Sequence, residues 1–240
     1  MNFKNIIKEF TNITDDNKLG IYMIHLSKAT ERLPIIKSLE EKLNITLPIF
    51  EAKDGNEFIN NGYSREDLLI PYFNRTPGEL GCMMSHYYLY CDALEKNYEY
   101  IVIFEDDCIF NKNLEELSDF FKKSKEYFLN TNQNWDLFAL GTLENTKFDI
   151  KTPFLLKTTG FHGTHAFIIK KSFYITTINI INEIISNKKM YPIDSLLSYI
   201  IRLGNLNAFC HIDPHYFFTQ KKGIYSYVIE DIRIHTMDSL

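Results

Sequence analysis

The chain has 240 residues, enough for one large domain or two small ones, and its 45% hydrophobic and 15% aromatic content suits a well-packed core. Its net charge of −5 argues against non-specific nucleic-acid binding and against a basic membrane-binding surface. No run of about 18 apolar residues occurs, and the first ten residues are too polar for a signal peptide. We therefore expect a cytoplasmic protein without a transmembrane segment. The four cysteines match no metal or disulfide spacing, which favours reduced thiols.

A single compact domain is the organisation that the sequence predicts. No linker, low-complexity tract or internal repeat interrupts the chain, so we expect the domain to span residues 19–228. Residues 1–18 are polar and are expected to form a loosely attached leader. Residues 229–240 are expected to form a C-terminal tail.

Predicted strands and helices alternate in the first half of the chain. Apolar runs predict strands over residues 21–26 and 47–50, and apolar residues at helical spacing predict a helix over residues 29–43. The next helix has a strong start signal, because the capping residue Thr76 is followed by a proline and, three residues after the cap, by Glu79. This alternation predicts parallel βαβ units.

The most informative stretch is residues 101–108, which read I-V-I-F-E-D-D-C. Four apolar residues predict a short buried strand, and the carboxylates of Glu105, Asp106 and Asp107 follow it directly. Adjacent carboxylates repel one another, and Mg²⁺ or Mn²⁺ offsets that repulsion, usually beside a substrate phosphate. Since parallel sheets bind ligands at the carboxyl ends of their strands, the triplet indicates a metal-dependent enzyme that acts on a phosphorylated substrate. The alternative is an acidic surface turn.

The second half of the chain is predicted to mix helices with short strands. Periodicity places helices over residues 114–128, 172–185 and 193–203, and strands over residues 136–140, 154–156, 164–169 and 208–212. A glycine-containing turn is expected at residues 160–163. A loop-rich tail is expected to close the chain.

Six short motifs follow one another along residues 19–228. They are I-Y-M-I-H-L followed by E-R at residues 21–32, F-E-A-K-D-G at 50–55, G-E-L-G-C-M-M-S-H at 78–86, F-E-D-D at 104–107, G-T-H-A-F-I-I at 163–169 and P-I-D at 192–194, with a weaker match at Gln220 and Ser226. Each motif alone has low specificity. In this order they resemble glycosyltransferase family 25, which includes bacterial lipooligosaccharide galactosyltransferases and collagen galactosyltransferase domains.

The resemblance implies a fold and a reaction. The fold is of the GT-A type, an α/β single domain with a mostly parallel central sheet flanked by helices. The reaction is an inverting transfer of a hexose, most often galactose, from a UDP-sugar to a hydroxyl of a glycan or a hydroxylysine-type acceptor, with Mn²⁺ or Mg²⁺ as cofactor. Donor selectivity rests on a few pocket contacts, so glucose and N-acetylglucosamine stay open as donor sugars.

The resemblance places the metal at the acidic motif. Glu105 and Asp107 match the outer positions of that motif and are the predicted metal ligands, Asp107 being the principal one. Asp106 is predicted to hydrogen-bond the donor ribose or to orient the water shell of the metal. A cation there stabilises the charge that develops on the leaving diphosphate. His235, in the tail, is a further candidate ligand, because some GT-A enzymes use a late metal ligand, although the tail itself does not align with the family.

Asp194, in the P-I-D motif, is the predicted catalytic residue. An acceptor hydroxyl needs a general base on the face opposite the leaving group, and the resemblance assigns this role to Asp194. The alternative role is a helix cap, because Asp favours that position.

Five further residues are predicted to bind the donor. Arg32 suits the diphosphate, because its planar guanidinium matches phosphate oxygens, although it can also be a solvated helix charge. Asp54 is predicted to contact the uridine or ribose, or else to form the turn beside Gly55. Family motifs also point to His86, His165 and Gln220, and the alternative for both histidines is a hydrogen-bonded place in the core.

Two other classes of function compete with a transferase. A haloacid-dehalogenase-type phosphatase also has acids after a buried strand, but it needs an Asp nucleophile where this chain has Glu105. A catalytically silent family relative that binds a nucleotide sugar or a glycan is the second alternative. The intact acidic triplet and Asp194 argue against it.

Overall fold

The computed structural model describes residues 1–60, 62–64, 69–70, 73–74, 76–204 and 206–221. Three features named above lie outside these residues: Ser226, the candidate ligand His235 and the C-terminal tail. Among the described residues, no helix is both long enough and apolar enough to cross a membrane.

The described chain alternates between helices and strands along most of its length. The helices are α1 (Phe3–Thr11), α2 (Leu33–Leu43), α3 (Gly55–Asn60), α4 (Pro77–Glu95), α5 (Leu114–Thr131), α6 (Lys171–Ser186) and α7 (Ile193–Leu203). The strands are β1 (Leu19–His25), β2 (Ile49–Glu51), β3 (Leu69–Ile70), β4 (Phe73–Asn74), β5 (Tyr100–Glu105), β6 (Cys108–Phe110), β7 (Leu137–Gly141), β8 (Glu144–Ile150), β9 (Leu155–His162), β10 (Ala166–Lys170), β11 (Ala208–His211) and β12 (Phe218–Gln220).

An eight-stranded sheet forms the centre of the fold, in the order β2-β1-β5-β10-β7-β11-β9-β8. Strands β2, β1 and β5 pair in parallel, as do β7 and β11, while β10 and β9 run against the rest. The predicted α/β class with a mostly parallel central sheet flanked by helices is therefore confirmed.

Strand β5 shows how the sheet divides the core into two layers. Successive side chains of a strand point to opposite faces. Val102 and Phe104 accordingly pack in one apolar layer, beneath α1, α2 and α5, while Ile101 and Ile103 pack in the other, beneath α4, α6 and α7. All four side chains are fully buried. The acidic triplet thus follows a strand that is covered on both faces and held rigidly.

Helix α1 shows that the prediction of a loosely attached leader over residues 1–18 is wrong. Phe3 and Ile7 are fully buried, and Phe10 stacks on Trp135 with ring centroids 5.1 Å apart. The prediction weighed the many polar residues of this segment and overlooked the helical spacing of its apolar ones. Burial of such side chains contributes about 1.5–3 kcal/mol each, so α1 is part of the core.

Helix α4 begins as the sequence predicts. The Thr76 hydroxyl accepts a hydrogen bond from the Glu79 N–H at 3.1 Å, and the Glu79 carboxylate accepts one from the Thr76 N–H at 2.9 Å. Two backbone donors that the helix leaves unpaired are satisfied in this way. The capped end lies against the turn that follows β2, and this contact forms one wall of a cleft.

Candidate active site

A cleft of about 270 Å³ opens at the carboxyl ends of β1 and β5. Its walls come from the end of β1, the turn after β2, the first turns of α4, and the acidic triplet. Among the predicted site residues, the lining includes Arg32, Asp54, Glu105, Asp106, Asp107 and Gln220. The structure thus brings six of them together, at the sheet edge that the βαβ pattern predicts.

The glycines of two motifs hold one wall of this cleft in place. A Cβ on Gly81 of α4 would lie 2.5 Å from the Lys53 carbonyl oxygen, and one on Gly55 would lie 1.5 Å from that of Pro77. The Lys53 N–H also donates to the Ser85 hydroxyl at 2.8 Å. Direct backbone contact between the turn and the helix therefore explains why the motifs need glycine at these positions.

Asp106 is held from both sides by the protein itself. Its Oδ2 lies 2.8 Å from His25 Nδ1, and its Oδ1 accepts a hydrogen bond from Arg32 Nη1. Arg32 Nη1 also lies 3.7 Å from Asp107 Oδ2. Both oxygens of Asp106 are thus engaged within the chain, and this carboxylate fixes the guanidinium of Arg32 at the cleft. The ribose contact predicted for Asp106 is not what its contacts in this structure favour.

His25 is a site residue that sequence reasoning missed. It is 4% exposed and ends β1 beside the acidic triplet. The signal was present, because this chain reads I-H-L where the family opening reads I-N-L. A histidine in place of that asparagine supplies a second partner for Asp106.

Glu105 faces the cleft with a side chain that is 21% exposed. Its Oε1 accepts a hydrogen bond from the Thr164 hydroxyl at 2.6 Å and lies 3.3 Å from His86 Nε2. Burial by itself raises the pKa of Glu105. The contacts with His86, Thr164 and His165 outweigh burial, so the pKa lies below its ordinary value. Glu105 is therefore ionised at neutral pH.

Asp107 is buried, and only one of its two carboxylate oxygens has a hydrogen-bond partner among the described residues. Its Oδ2 accepts a hydrogen bond from Gln220 Nε2 at 2.7 Å, a contact set by the pairing of β12 with β6. Among the described residues its Oδ1 is buried and has no hydrogen-bond partner. Burial, and then the charge of Glu105, raise the pKa of Asp107 to about 6. Since a buried unpaired carboxylate oxygen is costly, this atom is suited to accept a hydrogen bond or to bind a cation.

His86 and His165 were both predicted to bind the donor, and the structure places both rings away from the cleft lining. His86 is fully buried on α4, stacks on Phe167 with ring centroids 5.7 Å apart, and reaches the cleft only through Glu105. Strand β10 covers that face of α4, so a role of His86 in donor binding would act through Glu105 and stays a prediction. His165 is 1% exposed and lies behind the acidic triplet.

The residues present fit a divalent cation. Ligand atoms of Glu105, Asp107 and His165 lie within 4.8 Å of one another. Two buried atoms of this group, Asp107 Oδ1 and His165 Nε2, have no hydrogen-bond partner among the described residues. Burial lowers the pKa of His165, which favours the neutral ring that a metal requires. A second group, Cys82, His86 and Glu105, shares Glu105 with the first.

Asp54 takes one of the two roles that the sequence left open, the formation of the turn, and its contact with the uridine or ribose stays a prediction. Its Oδ1 accepts a hydrogen bond from the Asn56 N–H at 3.0 Å, which shapes the turn, and its Oδ2 binds Lys28 Nζ at 2.5 Å. The Lys28 contact lowers the pKa of Asp54 below its ordinary value. Asp54 and Lys28 both line the cleft, so this ion pair belongs to its wall.

Asp194 lies outside the cleft lining, at the start of α7. Its Oδ2 accepts a hydrogen bond from the Gly163 N–H at 3.0 Å, and its Oδ1 accepts one from the Ser195 N–H at 2.6 Å. After burial, the charges of Glu105 and Asp194 raise the pKa of the Cys82 thiol, which places Asp194 near this part of α4. The structure therefore links Asp194 to the site through the turn that carries His165.

The fold and the cleft define an α/β protein with a carboxylate cluster at the carboxyl edge of its parallel strands, an arrangement suited to transfer from a phosphorylated donor. The chain belongs to glycosyltransferase family 25: the family model described as "Glycosyltransferase family 25 (LPS biosynthesis protein)" matches residues 18–197. This membership supports glycosyl transfer as the general activity.

Several known proteins are similar to this chain. A glycosyltransferase 25 family member of Aedes aegypti is 28% identical over 59% of the chain and 24% of its own length. A probable inactive glycosyltransferase 25 family member 3 of Rattus norvegicus is 29% identical over 52% and 23%. The lipooligosaccharide biosynthesis protein lic2B of Haemophilus influenzae is 27% identical over 45% and 43%. The chain thus matches less than half the length of each of these relatives.

A solved structure also resembles the chain. It is a glycosyltransferase involved in glycosylation of the major capsid of PBCV-1, with a TM-score of 0.43 and 11% identity. The likeness covers 92% of this chain and 99% of that one.

Proposed function

We propose that this chain is an active, cation-dependent glycosyltransferase that moves a hexose, most often galactose, from a UDP-sugar to an acceptor hydroxyl with inversion. The observation that carries the proposal is the convergence of Glu105 and Asp107 in the cleft, where Asp107 Oδ1 is buried without a partner among the described residues. The family supports the transfer itself. The acceptor is a glycan, as in lipooligosaccharide, or a hydroxylysine-type side chain.

The cleft contains cationic groups suited to a diphosphate. Arg32 and Lys28 line it, and Asp106 fixes the guanidinium of Arg32 at its edge. A divalent cation, Mn²⁺ or Mg²⁺, bound by Glu105 and Asp107 would supply Lewis-acid stabilisation of the charge on the leaving UDP. Arginine and lysine side chains stabilise the same charge by hydrogen bonding to phosphate oxygens.

Asp194 is the proposed general base. An inverting reaction needs the base on the face of the sugar opposite the leaving group. The Gly163 N–H positions the Asp194 carboxylate, and His162 Nδ1 lies 3.6 Å from it. An acceptor that reaches Asp194 from the cleft would pass the turn at residues 163–165. This route brings the acceptor toward the start of α7, outside the cleft lining.

A catalytically silent protein that binds a nucleotide sugar or a glycan is the second candidate. Two observations favour it: one similar relative is named inactive, and Asp106 is fully engaged by Arg32 and His25. Such a protein would bind UDP in a cation-dependent manner without breaking the bond between sugar and phosphate.

Release of UDP from a panel of UDP-sugars tests the proposal. The assay compares wild type, Asp107→Asn and the control Asp149→Asn with Mn²⁺, with Mg²⁺ and with EDTA, in the presence of lipooligosaccharide or hydroxylysine peptides. Asp149 is a suitable control because it is an exposed carboxylate of β8 that pairs with Lys151. We expect one donor to release UDP with wild type and the control, but not with Asp107→Asn or EDTA. UDP binding without release from any donor would support the silent protein instead.

A further inference from the structure

His165 lies where a third protein ligand of the cation belongs. It directly precedes β10, and its carbonyl oxygen accepts the Glu105 N–H at 2.9 Å, so the two residues are neighbours across the sheet edge. A ring nitrogen of His165 lies within 4.8 Å of ligand oxygens of Glu105 and Asp107. The side chain is 1% exposed, and Nε2 has no hydrogen-bond partner in the described part of the chain. A buried polar atom on a ring that lies beside two carboxylates requires a partner.

The other ring nitrogen fixes the tautomer that a metal needs. The backbone of Thr142 lies close enough to the His165 ring for a hydrogen bond that raises the pKa of the imidazole against the larger effect of burial. The Thr142 N–H is already donated to the Pro214 carbonyl, so the ring bonds the Thr142 carbonyl oxygen. Because Nε2 has no hydrogen-bond partner among the described residues, we assign the proton and the bond to Nδ1, which leaves Nε2 with its lone pair available. Metal-binding histidines characteristically donate their other N–H in this manner.

The preceding glycine leaves room for the ring. Gly163 has a φ of +76°, and a Cβ on it would lie 2.8 Å from His165 Cε1. The same residue donates its N–H to Asp194. The left-handed φ and the close approach of the imidazole both favour glycine at this position.

We infer that His165 Nε2 is a ligand of the cation that Glu105 and Asp107 bind, and that this nitrogen makes the site prefer Mn²⁺ to Mg²⁺. The inference rests on the cation of the proposed function. Carboxylates bind both ions, whereas imidazole binds transition metals and is a poor ligand for Mg²⁺. A site with two oxygens and one nitrogen from the protein therefore discriminates between the two ions, which a purely acidic motif does not.

An alternative cation site is offered by the second group of potential ligands, Cys82, His86 and Glu105. His86 already has contacts at both ring nitrogens, with Glu105 at 3.3 Å and with the Tyr90 hydroxyl at 3.4 Å. A cation there would have to displace the Glu105 contact. His165 needs no such rearrangement, so the first group is the better site.

Direct spectroscopy of the wild-type chain tests nitrogen ligation without any substitution. Mn²⁺ is added with UDP, and pulsed EPR records the coupling between the bound ion and ¹⁴N, then ¹⁵N after histidine labelling. We expect a histidine nitrogen coupling. Bound Mn²⁺ that shows no histidine coupling would overturn the inference.

Variants then assign the nitrogen. The EPR signal of free Mn²⁺ measures affinity, and competition by Mg²⁺ measures preference. We expect His165→Gln to weaken Mn²⁺ binding by at least about tenfold and to change Mg²⁺ binding little, while His211→Gln, which removes an imidazole packed on Tyr216, has no effect. Equal Mn²⁺ affinity in His165→Gln and wild type would refute the assignment, and loss of affinity in Cys82→Ser alone would place the ion in the alternative site.

The tests separate this inference from the proposed function. If wild type binds no Mn²⁺ with or without UDP, the inference is wrong, and UDP release in EDTA then decides whether the chain transfers sugar without a cation. If wild type binds Mn²⁺ through oxygen alone, the proposed function stands and only the role of His165 fails.

Discussion

At the scale of single residues, three adjacent carboxylates have three different environments. Glu105 is hydrogen-bonded by His86 and Thr164, Asp106 is held by His25 and Arg32, and Asp107 keeps one oxygen without a partner among the described residues. The sequence shows only that three acids are consecutive. Their different environments arise from β1, α4 and β10, which approach the triplet from separate directions.

The raised pKa of Asp107 predicts how the cation-free protein responds to pH. The pKa of this carboxyl rises from 3.8 in the unfolded state to about 6 in the folded state. Its protonated form therefore stabilises the folded protein fully below pH 3.8, and this stabilisation is lost as the pH rises through 6. Asp107→Asn removes this loss, so it should stabilise the protein at pH 8 by on the order of 2 kcal/mol and have little effect near pH 4. Thermal unfolding in EDTA at both values measures the difference.

Asp149→Asn is the control for this experiment, because that carboxylate is largely exposed. Its unfolding temperature should match wild type at both pH values. Equal unfolding temperatures of Asp107→Asn and wild type at pH 8 would show that burial does not raise the pKa of Asp107.

At the scale of elements, local signals predicted some helices well but failed at some strands. The capping box of α4 and the bounds of α7 agree with the sequence patterns. Strand β8 was missed, because its sequence E-N-T-K-F-D-I is mostly polar and it lies at the sheet edge. Gly160 was placed in a turn but lies inside β9, because pairing with β8 extends that strand to His162. Pairing across the sheet overrides such local preferences.

The contact between α4 and the turn after β2 gives a prediction at this scale. Gly81→Ala should destabilise the protein by about 1–3 kcal/mol, because its Cβ would lie 2.5 Å from the Lys53 carbonyl oxygen and no flexible side chain is available to move away. The urea midpoint of unfolding measures the loss.

Gly204→Ala, just after α7, is the matched control for this substitution. Its Cβ would meet Ile200 O at 3.0 Å and the Leu206 side chain at 3.2 Å, contacts that small shifts relieve. A smaller loss is expected there. If Gly81→Ala cost no more than Gly204→Ala, the backbone contact would not be what positions this wall of the cleft.

At the scale of the whole molecule, the sheet separates two core layers, and helix α1 belongs to one of them. Phe3→Ala should therefore destabilise the protein by about 3–5 kcal/mol, because Phe3 is fully buried against Phe104 and Phe218. Urea unfolding measures the effect. The control is Lys4→Ala on the same helix, whose surface ion pair with Asp16 contributes at most about 1 kcal/mol. An unchanged urea midpoint in Phe3→Ala would instead support the prediction that residues 1–18 form a loosely attached leader.

The sequence by itself determined the α/β class, the capped helix α4, the acidic strand end and the family. These features are encoded locally, in hydrophobic period, capping residues and short motifs. Only the tertiary structure decided that Asp106 is engaged by His25 and Arg32, that His86 lies behind Glu105, and that His165 lies beside Glu105 and Asp107. These relations join residues 19 to 81 positions apart, so they depend on strand order and burial, which no local pattern encodes.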